Sequence, residues 1–379
     1  MTVIACVDDL QKMAKRRVPR MFYDYVDSGS WSESTYRSNE SDLAAIKFRQ
    51  RVAQNVSERT TEMLMLGQKL PMPVALAPTG LTGMQYANGE ILAARAASDF
   101  GVPFTLSTMS ICSIEDVADD SPSPFWFQLY VMRDRNFMSR LIERARDANC
   151  SALMVTLDLQ ILAQRHKDVR NGLSAPPKLT LRNILSLMQK PAWCLRMLST
   201  KRRQFGNIVG HVEGIKDMSS LADWTVSQFD PTLSWSDIAN IRKQWGGKLI
   251  IKGILDAEDA LAAVNVGADA IVVSNHGGRQ LDGAISSVEA LPAVLDSVNG
   301  RAEVWMDSGI RSGQDVLRAI ALGAQGTMIG RAFLYGLGAK GQAGVHQVLD
   351  IIHKEFDLTL GLCGQSDLSK VDSSILIKE

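Results

Sequence analysis

The sequence predicts an α/β protein, a (β/α)8 (TIM) barrel with a long insertion between its fourth and fifth strands. Three observations predict this fold: eight short apolar segments, helix start and stop signals between most of them, and a length of 379 residues. Barrels of this kind commonly need about 250 residues or more. An open, doubly wound parallel sheet is the alternative arrangement of the same elements.

The eight segments are continuously apolar and end in a small or polar residue. This pattern is typical of parallel strands that are covered on both faces. The predicted strands are 73–77, 103–107, 125–130, 152–156, 248–252, 270–274, 303–307 and 326–330. The long connection from the fourth to the fifth is the insertion, at about 170–230, in a barrel of 71–365 that follows a helical segment of 1–70.

Two helices can be placed from their end signals. Asp256 begins one, which ends at Gly267 and has Leu261 and Val264 on its predicted apolar face. A capping box of Ser312 and Asp315 begins the other, which ends at Gly323. Its predicted buried residues are Val316, Leu317 and Ile320.

Composition excludes several classes of protein. The chain has 41 basic and 41 acidic residues, so net charge gives no reason to expect a nucleic-acid partner. Its five cysteines form no C-x-x-C pair, which favours reduced thiols and no bound metal. Charged residues interrupt the first 17 positions, so we expect no signal peptide. No run of about 18 apolar residues predicts a membrane-spanning helix.

Polar residues follow every predicted strand. Because the carboxyl ends of barrel strands meet at one face, they are candidates for an active site. A solvated loop residue is the alternative for any one of them, but agreement among eight strand ends favours a site. In chain order they are Pro78, Thr79, Gly80, Ser107, Gln128, Tyr130, Thr156, Asp158, Lys252, Ser274, His276, Arg279, Asp307, Arg311, Gly330 and Arg331.

The last two strand ends predict a phosphate site. The turn Asp307, Ser308, Gly309 and the Gly330 turn offer backbone amides, and Arg311 and Arg331 offer guanidinium groups. Lys252 would place a positive charge at the barrel mouth, where it would favour a negatively charged ligand ring. A lysine paired with a neighbouring carboxylate is the alternative.

The segment 274–282, SNHGGRQLD, is the most specific motif. His276 suits a base near neutral pH, the glycines let the backbone pass close to a ligand, and Arg279 can bind a carboxylate. The motif resembles the signature of the FMN-dependent α-hydroxy-acid dehydrogenases and oxidases, which include glycolate oxidase, mandelate dehydrogenase and the bacterial membrane-associated L-lactate dehydrogenases. Matches at 23–25, 28–29, 128–130, 156–158, 251–253 and 329–331 extend the resemblance over nearly the whole chain.

The resemblance implies a role for each matched residue. His276 would be the catalytic base and Asp158 would stabilise its protonated form. Arg165 and Arg279 would hold the substrate carboxylate, and Tyr25 and Tyr130 would hydrogen-bond the substrate, with Tyr130 also counted as catalytic. FMN would be held by Pro78, Thr79, Gly80, Ser107, Gln128, Thr156, Lys252, Ser274, Asp307, Ser308, Gly309, Arg311, Gly330 and Arg331.

The resemblance implies oxidation of an L-2-hydroxy acid, with L-lactate as the favoured substrate. It also implies that residues 1–379 form a single domain and that the protein is a homotetramer. Gly80 stands where the family's oxidases commonly have alanine, and 103–118 is similar to the quinone-linked L-lactate dehydrogenases, so a respiratory quinone is the expected acceptor. A mandelate-type dehydrogenase is the first alternative, because 78–81 suits it too. Met109, which replaces a tryptophan of glycolate oxidase, should alter the wall beside the substrate. The remaining alternatives for the function are a phosphate-binding barrel without redox chemistry and a scaffold that has lost catalysis.

The insertion has a basic and apolar segment at 176–205. It contains no acidic residue, and Leu181, Ile184, Leu185 and Met188 fall on one helical face. An active-site lid is one interpretation. Because anionic lipids attract lysine and arginine, we instead predict peripheral attachment to the cytoplasmic face of the inner (plasma) membrane. The basic residues are Lys178, Arg182, Lys190, Arg196, Lys201, Arg202 and Arg203.

Overall fold

Eight parallel strands form a closed barrel in the computed structural model, which describes residues 3–173, 180–212 and 227–377. The strand order is β3-β10-β9-β8-β7-β6-β5-β4, and a parallel bridge between Leu76 and Phe104 closes the ring. All eight predicted strands are confirmed, and the open sheet is wrong. The strands are β3 (Val74–Leu76), β4 (Thr105–Ser107), β5 (Trp126–Tyr130), β6 (Ala152–Thr156), β7 (Lys248–Ile254), β8 (Ala270–Val273), β9 (Glu303–Met306) and β10 (Gly326–Ile329).

Helices follow the strands and cover the outside of the barrel. Three more precede it: α1 (Val7–Arg17), α2 (Arg20–Val26) and α3 (Ser34–Ala45). The insertion after β6 carries α7 (His166–Arg170), α8 (Leu181–Met188) and α9 (Pro191–Ser199). The other α-helices of the described residues are α4 (Gly89–Phe100), α5 (Ile114–Asp120), α6 (Arg135–Asp147), α10 (Trp235–Trp245), α11 (Ala257–Asn265), α12 (Ser287–Val298), α13 (Gly313–Ala321), α14 (Arg331–Lys340) and α15 (Gln342–Leu362).

The helix end signals are confirmed, but one predicted apolar residue, Leu261, is not on the buried face. Asp256 caps α11, and Ser312 with Asp315 forms the capping box of α13, whose three predicted apolar residues are buried. In α11, however, Leu261 is 40% exposed and Val264 is only half-buried. Ala260 and Ala263 face the core instead, because small side chains let this helix pack closely.

The amino-terminal end of the barrel is sealed by apolar side chains. Trp126 and Trp305 stack inside it with ring centroids 5.2 Å apart. The hairpin β1 (Met63–Met65) and β2 (Gln68–Leu70) adds Met65 and Leu70 to the same cluster. Among the described residues, the end of the barrel that is open to a ligand is therefore the opposite one, where the strands have their carboxyl termini.

The N-terminal helices are tied to the loop after β8. The Asp282 carboxylate accepts hydrogen bonds from the backbone N–H of Ser32 (2.8 Å), the hydroxyl of Ser34 (2.7 Å) and the backbone N–H of Thr35 (3.0 Å). This connection places Tyr25 and Ser28 at the barrel mouth.

Candidate functional site

A cleft opens at the carboxyl ends of the strands, with an empty volume of about 1300 Å³ that includes space open to solvent. We call it the central cleft. The predicted site residues that line it are Tyr25, Pro78, Thr79, Gly80, Tyr130, Arg165, Lys252, His276, Arg279, Asp307, Ser308, Gly309, Arg311, Gly330 and Arg331. The other five, Ser107, Gln128, Thr156, Asp158 and Ser274, lie at the same strand ends or bond to lining residues.

His276 and Asp158 form a hydrogen-bonded pair. His276 Nδ1 lies 2.9 Å from Asp158 Oδ1, and Nε2 makes no hydrogen bond to a described residue. Burial lowers the pKa of His276, although Asp158 opposes this shift. Burial also raises the pKa of Asp158, but His276 and Lys252 outweigh it and hold that pKa below 3.8. The pair therefore consists of a neutral imidazole and a carboxylate near neutral pH, which suits a general base.

Two arginines flank the ring of Tyr25. The guanidinium of Arg279 lies 4.6 Å from the ring centroid and that of Arg165 lies 5.6 Å from it. Arg279 Nη1 donates to the backbone carbonyls of Tyr25 (2.5 Å) and Ser28 (3.1 Å), and Arg165 Nε donates to Asp168 (2.5 Å). Their other N–H groups meet no acceptor within the described ranges, so they can bind a carboxylate ligand.

Burial and the neighbouring Arg165 lower the pKa of Arg279 to about 10. The guanidinium is still protonated at neutral pH. The two guanidinium groups beside the Tyr25 ring repel each other, and an anionic ligand would relieve that repulsion.

Lys252 is paired with a carboxylate, as the alternative interpretation of this residue proposed. Its Nζ lies 3.1 Å from Asp307 Oδ2 and donates to the Ser274 hydroxyl at 2.7 Å. That hydroxyl oxygen also accepts the backbone N–H of His276 at 3.1 Å. Lys252 nevertheless lines the central cleft, so the pair lies against the ligand space and supports the turn that carries His276.

The ends of β5 and β6 present buried polar groups that lack a partner among the described residues. Ser107 donates to Gln128 Oε1 at 3.0 Å. Gln128 Nε2 and Thr156 Oγ1 are buried, and neither meets a hydrogen-bond partner in the part of the chain that the structure describes. Because buried polar groups are costly when unpaired, they indicate a polar ligand over these strand ends.

The turns after β9 and β10 form a cationic corner. Arg331 donates to the backbone carbonyls of Val26 (2.9 Å) and Ser28 (2.7 Å). It forms no salt bridge with any described carboxylate, and burial together with Arg311 lowers its pKa. Gly309, at φ +88°, must be glycine, since an added Cβ would lie 2.2 Å from the Asn39 carbonyl oxygen. The corner suits a doubly charged anion such as a phosphate.

Behind this corner lies a cluster that the sequence pattern did not reveal. The Asp27 carboxylate accepts hydrogen bonds from the hydroxyls of Tyr335 (2.8 Å), Tyr23 (3.1 Å) and Tyr36 (3.2 Å). We call these four residues the Asp27 cluster. The ring of Tyr36 stacks under Arg331 at 4.4 Å, so the cluster fixes the platform on which that guanidinium rests.

Apolar side chains complete the wall of the central cleft. Met109 lines it as predicted, and Phe205 and Phe229, which sequence reasoning missed, come from the insertion. Asn207 anchors this part of the insertion by donating to Ser110 Oγ (3.0 Å) and accepting from the backbone N–H of Ile114 (2.9 Å). The later part of the insertion, which carries Phe205 and Phe229, therefore forms part of the wall of the central cleft.

Comparison with known proteins gives the same family throughout. The model of the family described as FMN-dependent dehydrogenase matches residues 14–378. The L-lactate dehydrogenase of Ectopseudomonas mendocina is 45% identical over 378 residues, covering 100% of both chains. That of Caulobacter sp. (strain K31) is 45% identical over 380 residues, covering 99% of both chains. The crystal structure of the monotopic membrane protein (S)-mandelate dehydrogenase superposes with a TM-score of 0.95 at 34% identity, covering 100% of both chains.

The residues present fit the FMN that this family requires. The unpaired Gln128 and Thr156 groups suit the polar edge of a flavin ring, and the cationic corner suits its phosphate. Family model, full-length relatives and site chemistry agree, and the chain belongs to the FMN-dependent dehydrogenases.

Proposed function

We propose that the protein oxidises L-lactate to pyruvate in the central cleft. The observation that carries this proposal is the juxtaposition of the His276–Asp158 pair with the guanidinium groups of Arg165 and Arg279 around Tyr25. A 2-hydroxy acid presents a carboxylate and a hydroxyl on adjacent carbons, which are the groups that such an arrangement can bind. Relatives named L-lactate dehydrogenase, 45% identical over the full length, support lactate as the substrate.

Each side chain has a distinct role in this proposal. Arg165 and Arg279 hold the carboxylate through the N–H groups that have no acceptor among the described residues. His276 Nε2 takes a proton from the substrate, and the carboxylate of Asp158 stabilises the resulting imidazolium. Tyr25 and Tyr130 hydrogen-bond the substrate. FMN, when bound, accepts the two electrons that the α-carbon loses.

We assign the remaining lining residues to the cofactor. The strand-end groups Pro78, Thr79, Gly80, Ser107, Gln128, Thr156, Lys252 and Ser274 would surround the flavin ring. The cationic corner, with Asp307, Ser308, Gly309, Arg311, Gly330 and Arg331, would hold the ribityl phosphate. Lys252 would stabilise negative charge on the ring, with Asp307 and Ser274 fixing its ammonium group.

Comparing turnover of L-lactate, D-lactate and (S)-mandelate with an artificial dye acceptor tests the substrate. We expect L-lactate to be preferred, because the full-length relatives at 45% identity are L-lactate dehydrogenases. Preferred turnover of (S)-mandelate would favour the mandelate-type alternative, which the (S)-mandelate dehydrogenase neighbour supports. A colourless protein without flavin absorption would favour a barrel without redox chemistry.

We further propose that the enzyme attaches to the cytoplasmic face of the inner (plasma) membrane and passes electrons to a respiratory quinone. In α8, Leu181 is 81%, Leu185 58% and Met188 71% exposed, which an active-site lid would not require. The solved neighbour described as monotopic supports this. Among the described residues no helix is long and apolar enough to cross a membrane. Residues 176–179 of the predicted segment lie outside the described residues.

Phe205, at one end of the segment, lines the central cleft, which supports the lid interpretation for that end alone. We therefore assign membrane contact to α8 and the exposed face of α9, and cleft shaping to the end that carries Phe205. A homotetramer is also proposed, and light scattering of the purified protein tests it.

A further inference from the structure

A second cleft lies between the N-terminal helices and α8, with an empty volume of about 1030 Å³ that includes space open to solvent. We call it the basic cleft. It shares no lining residue with the central cleft. Its lining residues are Lys15, Val18, Arg20, Tyr23, Asp24, Arg182, Leu185, Ser186, Gln189 and Lys190.

The charge of the basic cleft is strongly one-sided. Lys15, Arg20, Arg182 and Lys190 are opposed by a single carboxylate, that of Asp24. Asp24 is already engaged, because its Oδ2 lies 3.1 Å from Arg20 Nε and accepts from Asn171 Nδ2 at 2.7 Å. Three cations are therefore left without a carboxylate in the cleft, and such a concave surface concentrates anions.

Part of the cleft is held in place and part is free to bind. The backbone N–H of Arg20 donates to the Ser186 hydroxyl at 3.0 Å, and Lys190 Nζ donates to the Arg16 carbonyl, which joins α8 to the N-terminal helices. Lys15 and Arg182 are exposed, and across the described ranges neither forms a hydrogen bond or salt bridge. Their N–H groups are available to a ligand.

The cleft borders the exposed apolar face of α8. Leu185 lines the cleft and is 58% exposed, and Leu181 and Met188 on the same face are 81% and 71% exposed. A ligand with an anionic head and an apolar tail would match both surfaces at once. A free anion would contact only the basic cleft and not the apolar face of α8.

We propose that the basic cleft is a binding site for the phosphate of an anionic phospholipid, with Lys15 and Arg182 as its main ligands. This inference rests on the proposed membrane attachment through α8 and deepens it. It assigns headgroup recognition to a defined site that includes the N-terminal helices. Diffuse attraction by the whole basic insertion is the competing account.

The test compares two double variants of the holoenzyme on sedimenting vesicles. One vesicle preparation contains phosphatidylcholine alone, and the other contains phosphatidylcholine and phosphatidylglycerol in equal parts. Lys15→Gln with Arg182→Gln removes the free cations of the cleft. Lys201→Gln with Arg203→Gln is the matched control, because it also removes one lysine and one arginine that are exposed and lie outside the cleft.

Diffuse attraction acts on each basic residue near an anionic surface, so it predicts equal losses of binding for two variants that each lose two positive charges. We expect the cleft variant to lose about tenfold more binding to the phosphatidylglycerol vesicles than the control, while dye-linked lactate oxidation and flavin content stay unchanged in both. Equal losses would overturn the headgroup site but leave membrane attachment standing. If the wild-type enzyme bound neither kind of vesicle, both the headgroup site and the proposed membrane attachment would be wrong.

A second experiment, without vesicles, distinguishes a site for a lipid headgroup from a site for free phosphate. We expect dispersed short-chain phosphatidylglycerol to raise the Tm of the wild type and not that of the cleft variant, with inorganic phosphate at equal ionic strength having little effect. An equal rise with inorganic phosphate would show a site for the free anion and would contradict the lipid assignment.

Discussion

His276 has a left-handed backbone conformation, with φ at 59°, that few residues other than glycine adopt. Such a conformation costs about 1–2 kcal/mol. In this conformation Nδ1 of the imidazole lies 2.9 Å from Asp158 Oδ1. The next residue, Gly277, also has a positive φ of +68°, which favours glycine, and a Cβ there would lie 2.5 Å from Arg331 Nη1. The turn therefore positions the imidazole of the proposed base beside Asp158.

Replacing His276 tests its proposed role. We expect His276→Asn to keep its bound flavin and to lose about 10²–10⁴-fold in kcat, because the base is absent while the cofactor contacts remain. Asparagine is chosen because it tolerates a positive φ. Steady-state kinetics with the dye acceptor measure the loss, and a kcat within threefold of the wild type would exclude His276 as the base.

The pKa shifts predict the pH dependence. Since the base must be neutral and burial lowers the pKa of His276, kcat/KM should hold as the pH falls and decline only below 6.5. Asp158 raises that pKa, so Asp158→Asn should move the acid limb to still lower pH while reducing kcat. A limb that moves to higher pH in this variant would contradict the assigned pair.

Arg279 is the residue whose replacement should mainly affect substrate capture. Lysine keeps the charge but lacks the planar fork that binds a carboxylate and also the stack on Tyr25. Charge-assisted hydrogen bonds contribute about 1.5–3 kcal/mol, so we expect Arg279→Lys to raise KM for lactate by about 10- to 100-fold. Unchanged KM and kcat would remove Arg279 from the substrate site.

The strands and their polar ends were predictable from sequence because each is a short, fully buried apolar run with a small or polar stop. The Asp27 cluster was not, because one of its members, Tyr335, lies 308 positions from Asp27 in the chain. Phe205 and Phe229 were also missed, since only the path of the insertion brings them to the cleft. Leu261 was misassigned because an alanine face carries no hydrophobic signal.

The Asp27 cluster should affect the cofactor's phosphate rather than its ring. We expect Asp27→Asn to release FMN from the holoenzyme about tenfold faster, because the Tyr36 platform under Arg331 loses its charged hydrogen-bond acceptor. Flavin fluorescence after dilution measures the release. Riboflavin, which lacks the phosphate, is the control ligand. If the variant weakened riboflavin binding as much as FMN binding, the effect would be general destabilisation.

We attribute the proposed attachment of the whole molecule to the membrane to the exposed apolar face of α8. Trp193 of α9 is buried and donates to the Met84 carbonyl at 3.0 Å, so deleting the segment would damage the fold. Surface substitutions are a sharper test. We expect Leu181→Ser with Leu185→Ser and Met188→Ser to move the enzyme from the membrane to the soluble fraction with dye-linked activity retained.

A control for this variant replaces exposed leucines elsewhere. Leu261, Leu358 and Leu362 are 40%, 49% and 60% exposed and lie on helices outside the insertion. Their replacement by serine should leave the distribution between fractions unchanged. If the α8 variant still sediments with membranes, or the wild type never does, attachment through α8 is wrong.

Lactate oxidation by this protein is tested most directly by the visible spectrum of the purified yellow protein during anaerobic addition of L-lactate. We expect rapid loss of the oxidised flavin absorption with L-lactate, little change with D-lactate, and a much slower loss in His276→Asn at the same flavin content. If L-lactate left the wild-type spectrum unchanged, or bleached His276→Asn at the wild-type rate, the assignment of lactate oxidation to His276 in the central cleft would be wrong.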